Sequence, residues 1–392
     1  MKIFTYLFIT GIISLLCGGI WIIYRRKMHY WIFSYLLSLL SKKEKPDPSK
    51  PVDIILCIAN HFEPGYGEVN EEREIKRVNT WLEKYPLLAS RHRDYDGKPP
   101  RHTFFFPPHY NRLGNLEKIL KLCKEGFGEI EVHIHHNRIP PYPDTSESFI
   151  GKIKKILEEY SKLGIFGRDR EGNIKYGFVH GDWALDNSRG EKFCGINDEL
   201  TILKETGCYA DFTFPALFES QPVMINRISY AKDDPLRPKS YNRGEEVEVG
   251  KEKRGDIMII QGPLGLMLKK RGRFWKPSIE WGDLSNSDPP TPERIKYWIR
   301  RGIHVKGCPN WVIIKLHTHG AWEGCWEAVL GKTADRMFHY LEENYNDGKR
   351  YRLHYVTARE LYNIIKAAEK GEKGNPGDYR DYLLSPPSYE KG

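Results

Sequence analysis

Histidines and carboxylates are concentrated at the carboxyl ends of predicted strands. In chain order, these residues are His61, Glu63, His133, His135, His136, His180, Asp182, His317 and His319. Residues two apart on a strand share a face, so His61 and Glu63 should point together, as should His133 and His135. Converging imidazoles and a carboxylate form the open, three-ligand site that a catalytic divalent ion needs, with water in the remaining position. We therefore predict a metal site, with Zn²⁺ as the expected ion.

The histidines of the last predicted strand allow a second interpretation. The run 317–320 (His-Thr-His-Gly) has the H-x-H form found at a strand end in the barrels of metal-dependent phosphoesterases and amidohydrolases. In those families the motif follows the first strand, whereas here it follows the last. Chain order therefore disfavours them. A single histidine at a strand end is usually a hydrogen-bonded structural group, so the metal prediction depends on the whole set of nine residues.

Runs of β-branched and aromatic residues alternate with helical patterns through the body of the chain. The predicted strands are 52–59, 102–106, 130–135, 175–180, 208–214, 256–261 and 311–317. The predicted helices are 71–85, 115–124, 146–163, 197–206, 292–301, 333–344 and 358–370. Repeated strand-then-helix units predict a parallel sheet, and their number favours an α/β fold of the (β/α) barrel type, distorted and with seven or eight strands. The strand ends of such a barrel meet at one rim, which would bring the histidines together.

The barrel is predicted over residues 52–370, with an inserted loop at about 218–255 and a flexible tail at 371–392. The insertion is charged and rich in proline and glycine, which predicts either an elaborated loop over the rim or a small accessory hairpin. No G-x-G-x-x-G or Walker pattern opens a helix, so nucleotide binding is not indicated.

The amino-terminal segment predicts membrane attachment. Residues 3–24 form a run of 22 residues without a charge, followed by Arg25, Arg26 and Lys27. That length matches a hydrocarbon core about 30 Å thick, so we expect a transmembrane anchor over residues 1–28 and a single-pass membrane protein. The shorter apolar run at 30–40 is predicted to be an interfacial helix within the linker 29–51. The basic flank places the body on the cytoplasmic side.

Charge and cysteine content exclude other classes of protein. The 392-residue chain has a formal net charge of +9, of which residues 1–50 carry +6. The body is thus nearly neutral, and nucleic acid is not an expected partner. The seven cysteines include no C-x-x-C pair, so neither a disulfide framework nor a zinc knuckle is expected.

Several segments, taken in order, carry a resemblance to a known family. Residues 60–64 (Asn-His-Phe-Glu-Pro) follow the first strand where the family has Thr-Phe-Asp-Asp-Gly-Pro, and 102–106 look like its Ala-Thr-Phe-Phe strand. Residues 131–136 (Glu-Val-His-Ile-His-His) stand in place of a His-Ser/Thr-x-x-His metal motif, and 314–317 (Ile-Lys-Leu-His) resemble a closing Leu-x-x-His strand. Over residues 52–365 the chain resembles the polysaccharide deacetylases of carbohydrate esterase family 4, within the glycoside hydrolase/deacetylase barrel superfamily.

The sequence departs from the family at its motifs. The paired aspartates of the family are replaced by His61 and Glu63, and Asn137 stands where the second histidine of the metal motif would be. The ligand chemistry is retained although the motifs are not intact.

The resemblance implies metal-assisted hydrolysis of N- or O-acetyl groups on a polysaccharide or glycan. It implies Glu63, His133 and His135 as metal ligands, with His136 as a substitute for one of the histidines. His61 would be the base, His317 the acid, and Asp182 the partner that orients an imidazole. Residues expected to contact the substrate are His180, Trp183, His319 and Trp322, with Trp275 and Trp281 as further stacking platforms for sugar rings.

Two alternatives remain open from the sequence. One is a glycoside hydrolase of the same superfamily that uses Glu63 and Asp182 as its carboxylate pair. The other is a catalytically silent, membrane-tethered carbohydrate-binding protein. The resemblance also favours a location outside the cytoplasm, against the side that the basic flank indicates.

Overall fold

The computed structural model describes residues 2–40, 44–251 and 255–389. The α-helices of these residues are α1 (Lys2–Arg25), α2 (Ile32–Leu40), α3 (Glu71–Ala89), α4 (Asn115–Lys124), α5 (Ser146–Ser161), α6 (Glu199–Glu205), α7 (Pro292–Arg301), α8 (Trp326–Val329), α9 (Lys332–Tyr345) and α10 (Ala358–Lys370). The strands are β1 (Val52–His61), β2 (His102–Phe106), β3 (Gly128–Ile134), β4 (Gly167–Arg168), β5 (Ile174–His180), β6 (Cys208–Asp211), β7 (Ile228–Ala231), β8 (Gly244–Glu246), β9 (Ile257–Ile260), β10 (Gly265–Arg271), β11 (Phe274–Glu280), β12 (Trp311–Thr318) and β13 (Tyr351–Val356).

Most strands belong to one large sheet. Strands β12, β1, β2, β3, β5, β6 and β9 lie side by side in that order, and every pair is parallel. Strands β7 and β8 continue the sheet beyond β9 in antiparallel pairing, while β13 pairs with the first half of β1. Within the described ranges, β9 and β12 are not hydrogen-bonded to each other. An isolated bridge pairs His317 of β12 with Asp283. The architecture is thus a mixed α/β fold with a large sheet.

Alternation along the strands divides the core into two parts. Ile54 and Leu56 of β1 pack on the face that α3, α4 and α5 cover. Ile55 and Cys57 point the other way, into a cluster that includes Leu361 of α10. We call the face that carries Ile55 the inner face of the sheet.

Side-chain caps set the starts of the helices that flank the sheet. The hydroxyl of Thr357 accepts from the Glu360 backbone N–H, and the Glu360 carboxylate accepts from the Thr357 N–H, which forms a capping box at α10. The side chain of Thr291 caps α7 in the same position, with Pro292 in the first turn.

The structure adds elements that the sequence did not predict. The hairpin β10–β11 falls in a stretch rich in Lys and Arg, where no strand was predicted. The insertion at 218–255, for which a loop or a small hairpin was expected, contains the antiparallel pair β7 and β8, which lengthens the sheet. The described part of the tail, 371–389, packs on the body, and the side chains of Arg380 and Leu384 are buried.

The amino-terminal prediction requires a correction. Crossing a bilayer takes about 20 consecutive, mostly apolar residues in one helix. No helix in the described part of the chain is long and apolar enough to do so, although α1 occupies the expected segment. The predicted transmembrane helix, and the single-pass membrane localisation based on it, are therefore wrong. Helix α2 packs on the protein, because Tyr35 is buried in a cluster with Trp31, Ile225 and Leu264.

Candidate active site

One buried carboxylate, that of Glu63, lies among three imidazoles at the carboxyl ends of the parallel strands. Its Oε1 atom lies 3.1 Å from Nε2 of His133, 3.5 Å from Nε2 of His135 and 3.9 Å from Nε2 of His319. Burial alone would raise the pKa of Glu63, but His135 and His133 outweigh it, so the pKa lies well below its ordinary value. Glu63 is therefore an anion at the centre of this group of side chains.

The strands place the histidines by their alternation. His61, His133 and His317 lie on the inner face, because their strands turn the intervening apolar residues to the helix-covered side. Nδ1 of His133 lies 2.9 Å from the carbonyl oxygen of Val179, which can only accept a hydrogen bond. That contact assigns the ring proton to Nδ1 and leaves the Nε2 lone pair directed at Glu63.

His61 and His317 lack hydrogen-bond partners for buried ring nitrogens. Within the described residues, Nε2 of His61 and both nitrogens of His317 have none. The ring centroids of His61 and His133 are 5.3 Å apart, and those of His61 and His317 are 6.2 Å apart. Burial, followed by neighbouring histidines, lowers the pKa of His61 well below its ordinary value. Burial and Lys315 do the same to the pKa of His317, so a neutral ring is favoured there, which suits a proton donor poorly.

His135 has the opposite electrostatic character. Its Nδ1 atom lies 3.2 Å from Oδ2 of Asp182, and its Nε2 atom faces Glu63. Burial lowers the pKa of His135, but Glu63 and Asp182 together raise it to about 9. Asp182 reaches this place because it and Trp183 adopt a left-handed backbone conformation, at φ 56° and φ 53°, directly after β5. His135 is therefore a readily protonated group beside a string of neutral imidazoles.

Aromatic side chains line the opening of the site. Tyr66 and Trp322 are 42% and 39% exposed, with ring centroids 5.7 Å apart. The His319 ring lies near those of Tyr66 and Trp183, with centroid distances of 5.8 Å and 5.6 Å, and so joins the exposed rim to Glu63. Trp281 lies 4.7 Å from the His317 ring. Trp275, by contrast, is an exposed residue of the β10–β11 hairpin.

The donors fit a divalent ion at one place in this group. His61, Glu63 and His133 each offer a ligand atom, and these atoms lie within 4.8 Å of one another. Nε2 of His133 and the Glu63 oxygen are both lone-pair donors that face each other at 3.1 Å, and Nε2 of His61 has no hydrogen-bond partner among the residues that the structure describes. Two neutral imidazoles and a carboxylate are a ligand set that Zn²⁺ accepts in catalytic sites.

Two predicted site residues lie elsewhere. His136 and His180 stack on each other at 4.6 Å, in a separate buried cluster with Cys194 and Glu199. His180 shares the helix-covered face of β5 with Phe178, and His136 leaves β3 in a short 3₁₀ turn. Neither side chain has a contact with Glu63, so the structure does not bring them to the metal or substrate positions proposed for them.

Three residues near the site were not identified from the sequence. His109, in the turn after β2, has its ring 5.8 Å from that of His135, and burial lowers its pKa to about 3. Asp283 follows the unpredicted hairpin, and its carboxylate lies 4.0 Å from Nε2 of His317. Tyr66 lies in a loop without periodicity. Only His109 carried a signal, since it is a histidine shortly after a predicted strand.

Comparisons with known proteins give structural similarities at low sequence identity. No family model matches the chain, and no curated protein matches it either. A solved structure of a presumed polysaccharide deacetylase from Mycobacterium smegmatis is similar at 11% identity, with a TM-score of 0.43, over 86% of this chain and 96% of that one. A presumed glycoside hydrolase/deacetylase from Parabacteroides distasonis is similar at 14% identity, with a TM-score of 0.43, over 84% and 74%.

These two proteins carry the names of the family and superfamily that the sequence resembles. A third similar structure is a 4-alpha-glucanotransferase from Thermococcus litoralis, at 13% identity and a TM-score of 0.42. That similarity covers 80% of this chain and 40% of the glucanotransferase.

Proposed function

We propose that the chain is a metal-dependent hydrolase that removes N- or O-acetyl groups from a carbohydrate. The observation that carries the proposal is the meeting of His61, Glu63 and His133 at the ends of two parallel strands, with ligand atoms within 4.8 Å of one another. The carboxyl ends of parallel strands are where enzymes of barrel-like α/β folds hold their reacting groups.

The three residues would hold one divalent ion, with Zn²⁺ the best match to two imidazoles and one carboxylate. When bound, such an ion supplies Lewis-acid activation of water and of an acyl oxygen. The chain's own residues would set the tautomers of the ligands. The carbonyl oxygen of Val179 holds the proton of His133 on Nδ1, which keeps the Nε2 lone pair available to bind the ion. Burial keeps His61 neutral, which serves the same purpose.

Proton transfer would fall to His135. Asp182 fixes its Nδ1, and the pKa of about 9 keeps a proton on the ring, so that Nε2 is the atom that would deliver a proton to the leaving amine or hydroxyl group. This assignment revises the predicted roles, because His61 becomes a ligand and His135 the proton carrier. His317 would form part of the wall beside the reacting atoms, together with Trp281.

A carbohydrate suits the opening of the site. Tyr66 and Trp322 present partly exposed rings beside His319, and aromatic faces of this kind pack against the apolar faces of sugars. The substrate class is therefore an acetylated sugar polymer or glycan that enters along this aromatic rim.

The glycosidase alternative fits the geometry less well. It needs two carboxyl groups that face each other across a cleft, one of them with a raised pKa. In this chain the imidazole of His135 lies between Glu63 and Asp182. The pKa of each carboxyl group is lowered, by His135 and by other histidines, against the effect of burial.

The test is a product analysis with matched variants. The purified full chain, loaded with Zn²⁺, is incubated with chitin oligosaccharides and with acetylated xylan, and both free acetate and new reducing ends are measured. Acetate release that is lost in His133→Ala and retained in His339→Ala, an exposed histidine of α9, would support the proposal. New reducing ends without acetate would support a glycosidase. If neither product forms and the chain retains no metal after incubation with Zn²⁺, the result would support the silent carbohydrate-binding alternative.

A further inference from the structure

A second group of metal-binding side chains lies beneath the active site, on the helix-covered side of the sheet. It consists of His136, His180, Cys194 and Glu199, whose ligand atoms lie within 4.8 Å of one another. We call this group the buried cluster. All four residues are at most 1% exposed, and they come from four separate segments of the chain.

The distances within the buried cluster match those of a four-coordinate site. From the Glu199 carboxylate, Nε2 of His136 lies at 3.1 Å, Nε2 of His180 at 3.5 Å and Sγ of Cys194 at 3.7 Å. In a tetrahedral zinc site, with bonds of about 2.0–2.3 Å, ligand atoms are separated by about 3.3–3.6 Å. The donors therefore already surround a space of the right size.

Both imidazoles are held with their Nε2 atoms directed at Glu199. Nδ1 of His180 contacts the carbonyl oxygen of Gly181, and Nδ1 of His136 lies 2.8 Å from an oxygen of Asp144. An acceptor beside Nδ1 is the usual outer partner of a metal-binding histidine, because it keeps the proton off the ligating nitrogen. Nε2 of His180 has no hydrogen-bond partner in the described parts of the chain. His180 thus directs an unpartnered nitrogen, and His136 a hydrogen-bonded one, at the same carboxylate in a dry interior, an arrangement that a bound cation would satisfy.

The charges also balance. A divalent ion with the thiolate of Cys194, the carboxylate of Glu199 and two neutral imidazoles has no net charge, which lowers the cost of burial. Asp144 is neutralised separately by Lys152, whose Nζ lies 2.8 Å from its other oxygen.

We propose that His136, His180, Cys194 and Glu199 bind a structural Zn²⁺ ion. The site is closed to solvent and has four protein ligands, as structural zinc sites do, whereas the active site has three. The ion would tie the ends of β3 and β5 to the start of α6, and so would fix the loop that carries Asp182 and Trp183. This proposal does not rest on the proposed function, since it uses none of the residues that would hold the catalytic ion.

Metal analysis with cobalt as a probe tests the proposal, since a thiolate bound to Co²⁺ gives an intense near-ultraviolet charge-transfer band. The first site offers only nitrogen and oxygen donors, so it cannot give that band. We expect two equivalents of zinc in the wild-type chain and one in His133→Ala, and the band in the Co²⁺-loaded His133→Ala protein. Adding Cys194→Ala to this variant should abolish the band, whereas adding Cys208→Ala, a matched buried cysteine outside the cluster, should retain it.

A folded His133→Ala protein that binds no zinc, or that binds Co²⁺ without the band, would overturn the proposal, and in that case the buried cluster is a hydrogen-bonded group. The zinc content and the Co²⁺ band are both measured in His133→Ala, which keeps Cys194, so the test remains valid even if Cys194→Ala fails to fold. Failure of acetate release leaves these outcomes unchanged, so the two proposals fail separately.

Discussion

The carboxylate of Asp182 lies 3.2 Å from Nδ1 of His135, on the side of the ring opposite to the one that faces Glu63. The imidazole of His135 therefore lies between Asp182, which would fix its orientation, and Glu63, which would bind the ion. This relationship gives His135 a pKa raised to about 9, in a site where burial keeps His61 and His317 neutral. Proton transfer and metal binding are thus assigned to different imidazoles, and the two functions can be separated by mutation.

Asp182→Asn should slow turnover and leave metal binding intact. Asparagine tolerates the left-handed backbone of this position, so the loop should keep its shape. The loss of the carboxylate lowers the pKa of His135 and weakens its orientation, and we expect kcat to fall about 10- to 100-fold. Acetate release and zinc content measure the two effects. Asp378→Asn, at an exposed aspartate of the tail, is the control, and an unchanged kcat in Asp182→Asn would remove His135 from the reaction.

His61→Ala and His317→Ala should differ in metal content, although both replace a buried histidine of the inner face with a ring nitrogen that has no hydrogen-bond partner in the described part of the chain. His61 contributes a ligand atom to the first site, so its loss should weaken zinc binding there more than 100-fold, since a catalytic site has only three protein ligands. His317 is outside the set of ligand atoms, so its variant should bind zinc within about threefold of the wild type. Titration with a competing chelator measures both affinities. Equal losses in the two variants would contradict the ligand assignment.

Glu131→Gln should stabilise the protein at alkaline pH. Glu131 is buried on the inner face of β3, where burial raises its pKa to about 8 against hydrogen bonds from Tyr209 and the Gly177 N–H. A carboxyl group with a higher pKa in the folded chain binds its proton more tightly there, so the free energy of unfolding falls as the pH rises from the ordinary Glu value towards 8. The amide avoids this loss, and we expect a gain of about 1–3 kcal/mol at pH 9 and little at pH 5.

Urea unfolding at the two pH values measures that gain. Glu129→Gln is the matched contrast, two residues away on the same face, because Glu129 has a buried partner in Arg359 at 2.7 Å. That variant should lose stability at both pH values. A gain in Glu131→Gln that is the same at pH 5 and pH 9 would show that burial does not raise the pKa of Glu131.

Strand positions and the inner-face histidines could be predicted because both follow from local pattern. The seven predicted strands correspond to β1, β2, β3, β5, β6, β9 and β12; the bounds of β2 agree at both ends, and those of the others differ by one to three residues. Alternation then places His61, His133 and His317 on one face, and parallel pairing brings their ends together. The hairpin β10–β11 was not predicted because its many Lys and Arg residues interrupt the alternation of apolar and polar residues that is typical of a strand. Pro277 in β11 also argues against a strand.

The division of histidines between two clusters could be predicted only in part. His180 shares a face with Tyr176 and Phe178, and both of these pack towards the helices, so the alternation of β5 already indicated its direction. His136 gave no such signal, because its direction depends on the 3₁₀ turn after β3. Cys194 and Glu199 join it through a loop whose path is set by tertiary contacts, which single-sequence patterns do not contain.

Gly181 separates the two clusters, and Gly181→Ala should therefore impair catalysis. A Cβ atom at this position would lie 2.4 Å from Cγ of His135, so the ring would have to move away from its place between Glu63 and Asp182. A displacement of about 1 Å in a reacting group lowers kcat about 100-fold, and overpacking costs about 1–3 kcal/mol of stability. Gly151→Ala is the matched control, because a Cβ atom there meets nothing within 4 Å in α5 and should stabilise that helix by about 0.5–1 kcal/mol. Steady-state kinetics and thermal unfolding of both variants test the contrast, and a Gly181→Ala enzyme with wild-type kcat would show that the position of the His135 ring does not limit the reaction.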